Sequence, residues 1–252
     1  MSPGARAARA AWLAYWNAMR RWHRYEVREP GLDRLLDVWR EGPALLVGYH
    51  GRPIAHDLCM LQALLLERTG RLPRAIIHEY FRVTPGLRWL YDGFEFLAGD
   101  GDEMAQAVAR GDLIFVTPGG TREGTRSSLD RYRVEWGPRV GYVRLALRYG
   151  LPLVPAAAWG VDDTYLALND GFAWGQRLGL PGGLPAWIGI GAVGPWPLSP
   201  PLPVKITQVI GSPIRIDPSI DPRDRAALAE VHGRVVAAVQ QLLDARRGVG
   251  AA

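Results

Sequence analysis

Residues 44–58 read ALLVGYHGRPIAHDL. The first six form an apolar run short enough to be a buried strand. A Gly-Arg-Pro turn follows, and Pro53 suits the first position of a helix, where its missing N–H would have no partner anyway. The stretch therefore reads strand, turn, helix, with His50 in the turn and Asp57 one helical turn in. Strand ends of this kind are where α/β proteins commonly keep their chemistry.

The same alternation extends outward. DLCMLQALLLERTG (57–70) reads as a helix closed by Gly70, RAIIHEY (74–80) as a strand, and TPGLRWLYDGF (84–94) as a short helix with a turn. EMAQAVARG is a helix stopped by Gly111, DLIFVTP (112–118) a strand, and RVGYVRLALRYG a helix ending at Gly150. LPLVPAAAWG (151–160) and VKITQVIGSPI (204–214) read as further strands, and 222–247 as a closing helix. This succession predicts one α/β domain over 41–252, with a mixed, largely parallel sheet flanked by helices.

Ahead of it, residues 1–40 form an N-terminal helical segment. Its main helix is predicted over 5–27, with Trp12, Leu13, Trp16, Met19 and Trp22 at three- and four-residue steps and arginines mainly elsewhere. Such an amphipathic helix packs on the domain or lies in a lipid headgroup layer, and the two are compatible. A second short helix is predicted over 32–40.

Composition narrows the function. With 252 residues, 48% hydrophobic and 22% charged, the chain supports a sizeable core. The net charge of +5 is carried almost wholly by arginine, since Lys205 is the single lysine. The single cysteine, Cys59, precludes an internal disulfide. No apolar run is long enough for a transmembrane helix, and Arg6, Arg9, Arg20 and Arg21 leave no signal-peptide core. The arginines are scattered rather than clustered among stacking aromatics, which argues against a nucleic-acid partner. Residues 171–204 are apolar but broken by Gly and Pro, so no regular helix is expected there. That excursion is expected over a substrate channel or against a bilayer, or as an irregular packed loop.

Several motifs fail. GIGAVG (189–194) runs into PWPLSPP, so no helix can meet a pyrophosphate. GGTREGT (119–125) has Thr125 where a P-loop needs lysine, and no G-x-S-x-G elbow is present. His50, His56, Asp57, Cys59 and His78 lack zinc-site spacing, so no metal is expected.

Two stretches carry chemistry. Asp57 is expected to accept an N–H from the His50 ring, which fixes the tautomer and leaves the other nitrogen free to take a proton from a hydroxyl. His56 and Asp57 are adjacent and so point about 100° apart on a helix; Asp57 is therefore assigned to His50. The second stretch is PGGTREG (118–124), at the end of a strand. Gly119 and Gly120 let backbone N–H groups approach an anion or oxygen, and Arg122 adds a donor fork beside Thr121 and Glu123. The plainer reading is a glycine turn with a surface ion pair between Arg122 and Glu123.

Taken together, His50…Asp57, PGGTRE and LPLVPAAAWG, in that order between about residues 41 and 166, resemble the glycerolipid acyltransferase superfamily. KITQVIGSPIRI is similar to that family's last strand, and PGLRWLYDGFEFLAGD lies where its second motif would be. Six residues rather than four separate His50 from Asp57, so the turn is expected to bulge. Gly119 stands where phosphatidic-acid-forming members carry glutamate. The chain is thus more similar to the diacylglycerol, monoacylglycerol and phytyl ester acyltransferase branch.

The resemblance implies a peripheral O-acyltransferase at the cytoplasmic face of a membrane. It would move a fatty acyl group from acyl-CoA or acyl-carrier protein to a lipid alcohol. His50 is implied as general base and Asp57 as its orienting group. Backbone N–H groups near Gly119, Gly120 or Gly51 are implied for the oxyanion. Arg122 and Glu123 would position the acceptor or donor head group, Thr121 would support that turn in the substrate-binding stretch, and Arg82 and Arg88 would meet the phosphates of CoA or lipid. No cofactor beyond the thioester co-substrate is implied. The rival reading is a catalytically silent lipid-binding or tethering protein on the same scaffold.

Overall fold

The computed structural model describes residues 3–77, 94, 96, 97, 99, 101–180 and 184–248. His78, Arg82, Arg88 and nearly all of the predicted helix over 84–94 lie outside the described residues.

The core is a six-stranded sheet. Its strands are β1 (Glu26–Val27), β2 (Ala44–Gly48), β3 (Arg74–Ala75), β4 (Leu113–Val116), β5 (Leu153–Trp159) and β8 (Thr207–Ile210), in the spatial order β1-β8-β5-β2-β4-β3. All neighbours run parallel except β5 and β8. The mixed, largely parallel sheet expected from the alternating runs is what forms. β2 and β5 lie at its centre and are buried along their whole length, as continuous apolar strands between two helical layers should be. Leu45 and Val47 enter one core layer while Ala44 and Leu46 enter the other, the period-two alternation of a strand.

Eight helices flank or extend the sheet among the described residues: α1 (Pro3–Trp22), α2 (Gly31–Glu41), α3 (Arg52–Thr69), α4 (Asp102–Ala109), α5 (Gly120–Gly124), α6 (Gly141–Tyr149), α7 (Phe172–Arg177) and α8 (Arg225–Asp244). α3 ends at Gly70 in the left-handed conformation (φ 70°), and α6 ends likewise at Gly150 (φ 63°). α1 stops at Trp22 rather than at 27, because residues 26–27 leave it to pair with β8.

Trp16 is fully buried, and its ring meets the His56 ring on α3 edge-on at 5.3 Å. Trp12, Leu13, Trp16 and Met19 of the α1 stripe thus pack inward while Trp22 stays exposed, and α2 and β1 share the core and the sheet of the rest. Within 171–204 the chain forms α7, and β7 (Gly189–Ile190) pairs antiparallel with β6 (Leu166–Ala167). No helix among the described residues is long and apolar enough to cross a membrane.

Candidate active site

Register decides where the two chemical stretches meet. Val47 of β2 lies opposite Val116 of β4, and Gly48 opposite Ala156 of β5. Parallel strands in register end together, so the segments following β2, β4 and β5 leave the same edge of the sheet. His50 follows β2, the glycine turn follows β4, and a 3₁₀ turn (Val161–Thr164) follows β5.

The bulge expected between His50 and Asp57 is present as a break inside α3. Ile54 and Ala55 depart from helical geometry, and Ala55 takes the left-handed conformation at φ 52°, ψ 54°. A non-glycine residue there costs roughly 1 kcal/mol. Beyond the break Asp57 is fully buried, with its carboxylate behind Gly51. A Cβ on Gly51 would lie 2.4 Å from Asp57 Oδ1 and 2.3 Å from Val161, so no side chain fits between them.

The hydrogen bond expected between His50 and Asp57 is not formed. His50 Nδ1 instead lies 2.9 Å from its neighbour's carbonyl, Gly51 O. A carbonyl only accepts, so Nδ1 carries the proton and Nε2 keeps its lone pair. Neither carboxylate oxygen of Asp57 completes a hydrogen bond of good geometry. The amides of Asp57, Leu58 and Gly51 are directed at it and only partly offset its desolvation, so burial raises its pKa to about 7. Burial lowers the His50 pKa to about 4, and the Arg126 charge adds to the effect while the Gly51 carbonyl opposes it. The imidazole is neutral near pH 7.

The glycine turn fits against this ring. A Cβ on Gly124 would stand 2.5 Å from His50 Nδ1 and 2.7 Å from Cε1, so the imidazole rests on a bare backbone. The motif PGGTREG held this signal in its last glycine, which the sequence reading did not single out. Arg139 clamps the turn by donating to Pro118 O at 3.0 Å and to Gly119 O at 2.8 Å.

Glu123 does not lie at the surface as a partner for a head group or for Arg122. It is 1% exposed, and its carboxylate accepts from the His50 backbone N–H at 2.8 Å and from Trp136 Nε1 at 2.9 Å. Its Oε1 also lies 3.1 Å from the Arg126 guanidinium. A buried carboxylate needs such partners to offset its lost hydration. Gly119 is bare for this reason, since a Cβ there would sit 2.3 Å from Glu123 Oε2. Thr121 and Arg122 do face outward, and Arg122 lies 4.5 Å from the Phe172 ring on α7.

Two of the three amides expected for an oxyanion are engaged: Gly120 N–H donates to Thr117 O at 3.0 Å, and Gly51 N–H is directed at Asp57. His56 is buried, with Nδ1 bonded to Arg52 O and its ring among Trp16, His23 and Tyr165. Burial also lowers its pKa to about 4.

A buried polar layer under the turns has no counterpart in the motifs. Tyr49 Oη donates to Asp162 Oδ2 at 2.5 Å, and Arg126 donates to Tyr49 Oη at 2.5 Å. Arg52, fully buried, lies 3.8 Å from Asp162 Oδ1 and also bonds to Arg126 O. Only the Asp-Asp pair after the WG of β5 hinted at this layer, and nothing local marks an aspartate as buried. Among the described residues, no group of three His, Cys, Asp or Glu side chains gathers as metal ligands would.

The family model for diacylglycerol acyltransferase matches residues 102–249, which takes in the glycine turn but not the His50 turn. The chain is 30% identical over 224 residues to the bovine (Bos taurus) "DGAT1/2-independent enzyme synthesizing storage lipids", covering 88% of this chain and 60% of that protein. Phytyl ester synthase 1, chloroplastic, of Arabidopsis thaliana is 26% identical over 135 residues, covering 51% of this chain and 19% of that protein. The chain thus spans about three fifths of the length of the first of these relatives. In fold it is similar to the crystal structure of the 1-acyl-sn-glycerophosphate acyltransferase PlsC from Thermotoga maritima. The TM-score is 0.50 with 19% identity, covering 92% of this chain and 80% of that one.

Proposed function

The chain belongs to the diacylglycerol acyltransferase family, and from that premise we propose that it moves a fatty acyl group from an acyl thioester to the hydroxyl of a neutral lipid alcohol at a membrane surface. The observation that carries this reading is the His50 ring: Nδ1–H is held by Gly51 O, the Nδ1–Cε1 edge rests on the bare backbone of Gly124, and Nε2 is left as the base.

In the proposed reaction, Nε2 takes the proton of the acceptor hydroxyl as its oxygen attacks the thioester carbonyl. The tetrahedral oxyanion collapses, the C–S bond breaks, and the imidazolium returns the proton to the leaving thiolate. Gly119 N–H is the remaining candidate of the three amides considered for the oxyanion. Asp57 acts as a positioning residue through Gly51 and, when ionised, favours the transient imidazolium. Arg122, exposed beside the turn, is the candidate contact for a thioester or head-group phosphate. The chemistry requires a thioester co-substrate and no metal or redox group.

The absence of a direct His50–Asp57 bond favours one second reading, a lipid-binding scaffold without turnover. The test is thiol release from palmitoyl-CoA with a panel of lipid alcohols, for wild type and His50→Ala. Release by wild type and its loss in the folded variant support the transferase. Lipid binding by folded wild type without release under any acceptor would favour the scaffold.

A further inference from the structure

The excursion after β5 turns its apolar side outward. In the ribbon of β6 and β7, Leu166 is paired with Ile190 and Ala167 with Gly189, and Leu168 N–H donates to Ile188 O. Side chains alternate along a strand, so Leu166, Leu168, Ile188 and Ile190 share one face and Ala167 lies on the other. The inner face is closed, with Tyr165, Ala167 and Trp187 forming a small core of their own. On the outer face Leu166 is 54% exposed, Leu168 60% and Ile188 45%. A ribbon in water presents the opposite pattern, polar outward.

The adjoining helix repeats the inversion. On and just after α7, Trp174 is 56% and Leu178 66% exposed. Ten of the fourteen exposed large hydrophobic side chains among the described residues fall between Leu166 and Leu198. Residues 171–204 contain one charged residue, Arg177, whose guanidinium lies 5.9 Å from the Trp174 ring; Asp170, also exposed, flanks the segment. Exposed Arg122 lies against Phe172 of α7, 4.5 Å from its ring. A large apolar surface edged by tryptophan and arginine suits the boundary of a bilayer, where the indole bridges acyl chains and headgroups and the cation meets phosphate.

We propose that this excursion, rather than α1, is the surface by which the protein docks on a phospholipid bilayer. The proposal deepens the reading of an acyltransferase at a membrane surface and rests on it for the purpose of docking. α1 commits Trp12, Leu13, Trp16 and Met19 to the core and leaves Trp22 40% exposed, whereas Leu166, Leu168 and Ile188 on the outer face of the ribbon are all exposed. The excursion also touches the glycine turn, through Arg122 on Phe172, and Tyr165 just before the ribbon lies 6.1 Å from the ring of His56, the neighbour of Asp57. Docking there would bring the His50 turn to the lipid from which an apolar acceptor must come.

The test is co-sedimentation with vesicles of phosphatidylcholine, with and without phosphatidylglycerol. One variant pairs Leu166→Glu with Leu168→Glu, a second pairs Trp174→Glu with Leu178→Glu, and Leu129→Glu is the control, exposed but outside the excursion. Circular dichroism establishes folding, and chromatography the oligomeric state. Each pair is expected to weaken vesicle binding at least about tenfold, since removing one inserted leucine already costs more than that factor, while the control binds as wild type. Unchanged binding in both folded pairs overturns the proposal. So does a wild-type dimer that the pairs convert to monomer without changing lipid binding, which would make the face a contact between copies. Thiol release from a short-chain thioester to a soluble alcohol is measured alongside. Lost vesicle binding with release retained supports both readings. Lost vesicle binding in a protein that never releases thiol leaves the docking surface standing and removes the transferase.

Discussion

The backbone N–H of His50 donates to Glu123 Oε2 at 2.8 Å, joining the turn after β2 to the turn after β4. Glu123 also accepts from Trp136 and pairs with Arg126. The imidazole is thus aimed by a carboxylate that never touches it, and the partner of its ring is a carbonyl one residue away.

Glu123→Gln keeps the shape but removes the charge that Arg126 and the two N–H donors answer. Breaking a buried pair on one side costs about 3–5 kcal/mol, of which the amide recovers part, so a loss of about 2 kcal/mol in a urea melt is expected. Activity should fall in kcat with KM little changed, because the carboxylate faces protein. A rise in KM with kcat intact would instead return Glu123 to the head-group role its motif suggested.

Gly124→Ala places a methyl where the His50 ring lies, 2.5 Å from Nδ1. The ring must move, and a displacement of about 1 Å costs roughly a hundredfold in rate. Stability should fall by only about 1–3 kcal/mol, the usual cost of overpacking a buried site, so the variant stays folded. Steady-state kinetics with a thermal melt would reveal this separation of activity from stability; a full-rate variant would show that the ring does not depend on this contact.

Asp57 has an unusual stability signature. Its folded pKa is raised from the ordinary 3.8 to about 7, so between these values the native state holds a proton the unfolded chain has lost. Its contribution therefore falls as pH rises through that window and is least favourable above 7. Asp57→Asn should be more stable than wild type at pH 8, by as much as about 4 kcal/mol at roughly 1.4 kcal/mol per pH unit, and the gap should close towards pH 4. In activity, wild type should show a rise in kcat centred near pH 7 as Asp57 ionises, and Asp57→Asn should lack it. Melts and rate profiles across pH test both; an identical kcat profile in the variant would remove Asp57 from the reaction.

His56 and His50 titrate in the opposite sense. Both are lowered to about 4 from 6.5, so their stability is present above pH 6.5 and is lost as pH falls towards 4. His56→Ala opens a gap between Trp16 and Tyr165 and should cost about 2–4 kcal/mol, within the range for large-to-small changes in a core. The folded fraction should retain most of its activity. His50→Ala should lower kcat by about 10²- to 10⁴-fold, the span of general-base catalysis. An inactive but fully stable His56→Ala would mean that the base is His56.

Much of this was written locally. ALLVG and LPLVPAAAW declared buried strands because continuous apolar runs of that length fit only the middle of a covered sheet. The glycine turn and the His50 turn stood out because glycine and proline mark backbone geometries few other residues adopt. Even the bulge before Asp57 followed from a count of residues, and it appears as the left-handed Ala55.

What the tertiary structure alone decided is who faces whom. Glu123 reads as a surface residue beside Arg122, yet the register of β2 against β4 places it under the His50 amide. Trp16 and the outer leucines of the β6–β7 ribbon are equally apolar in sequence, yet the first is buried and the others face outward. Periodicity and turn chemistry act over a few residues and so are legible in one dimension. The partner of a buried charge and the cover of an apolar face are set by strands and helices tens of residues apart, and those meet only when the chain folds.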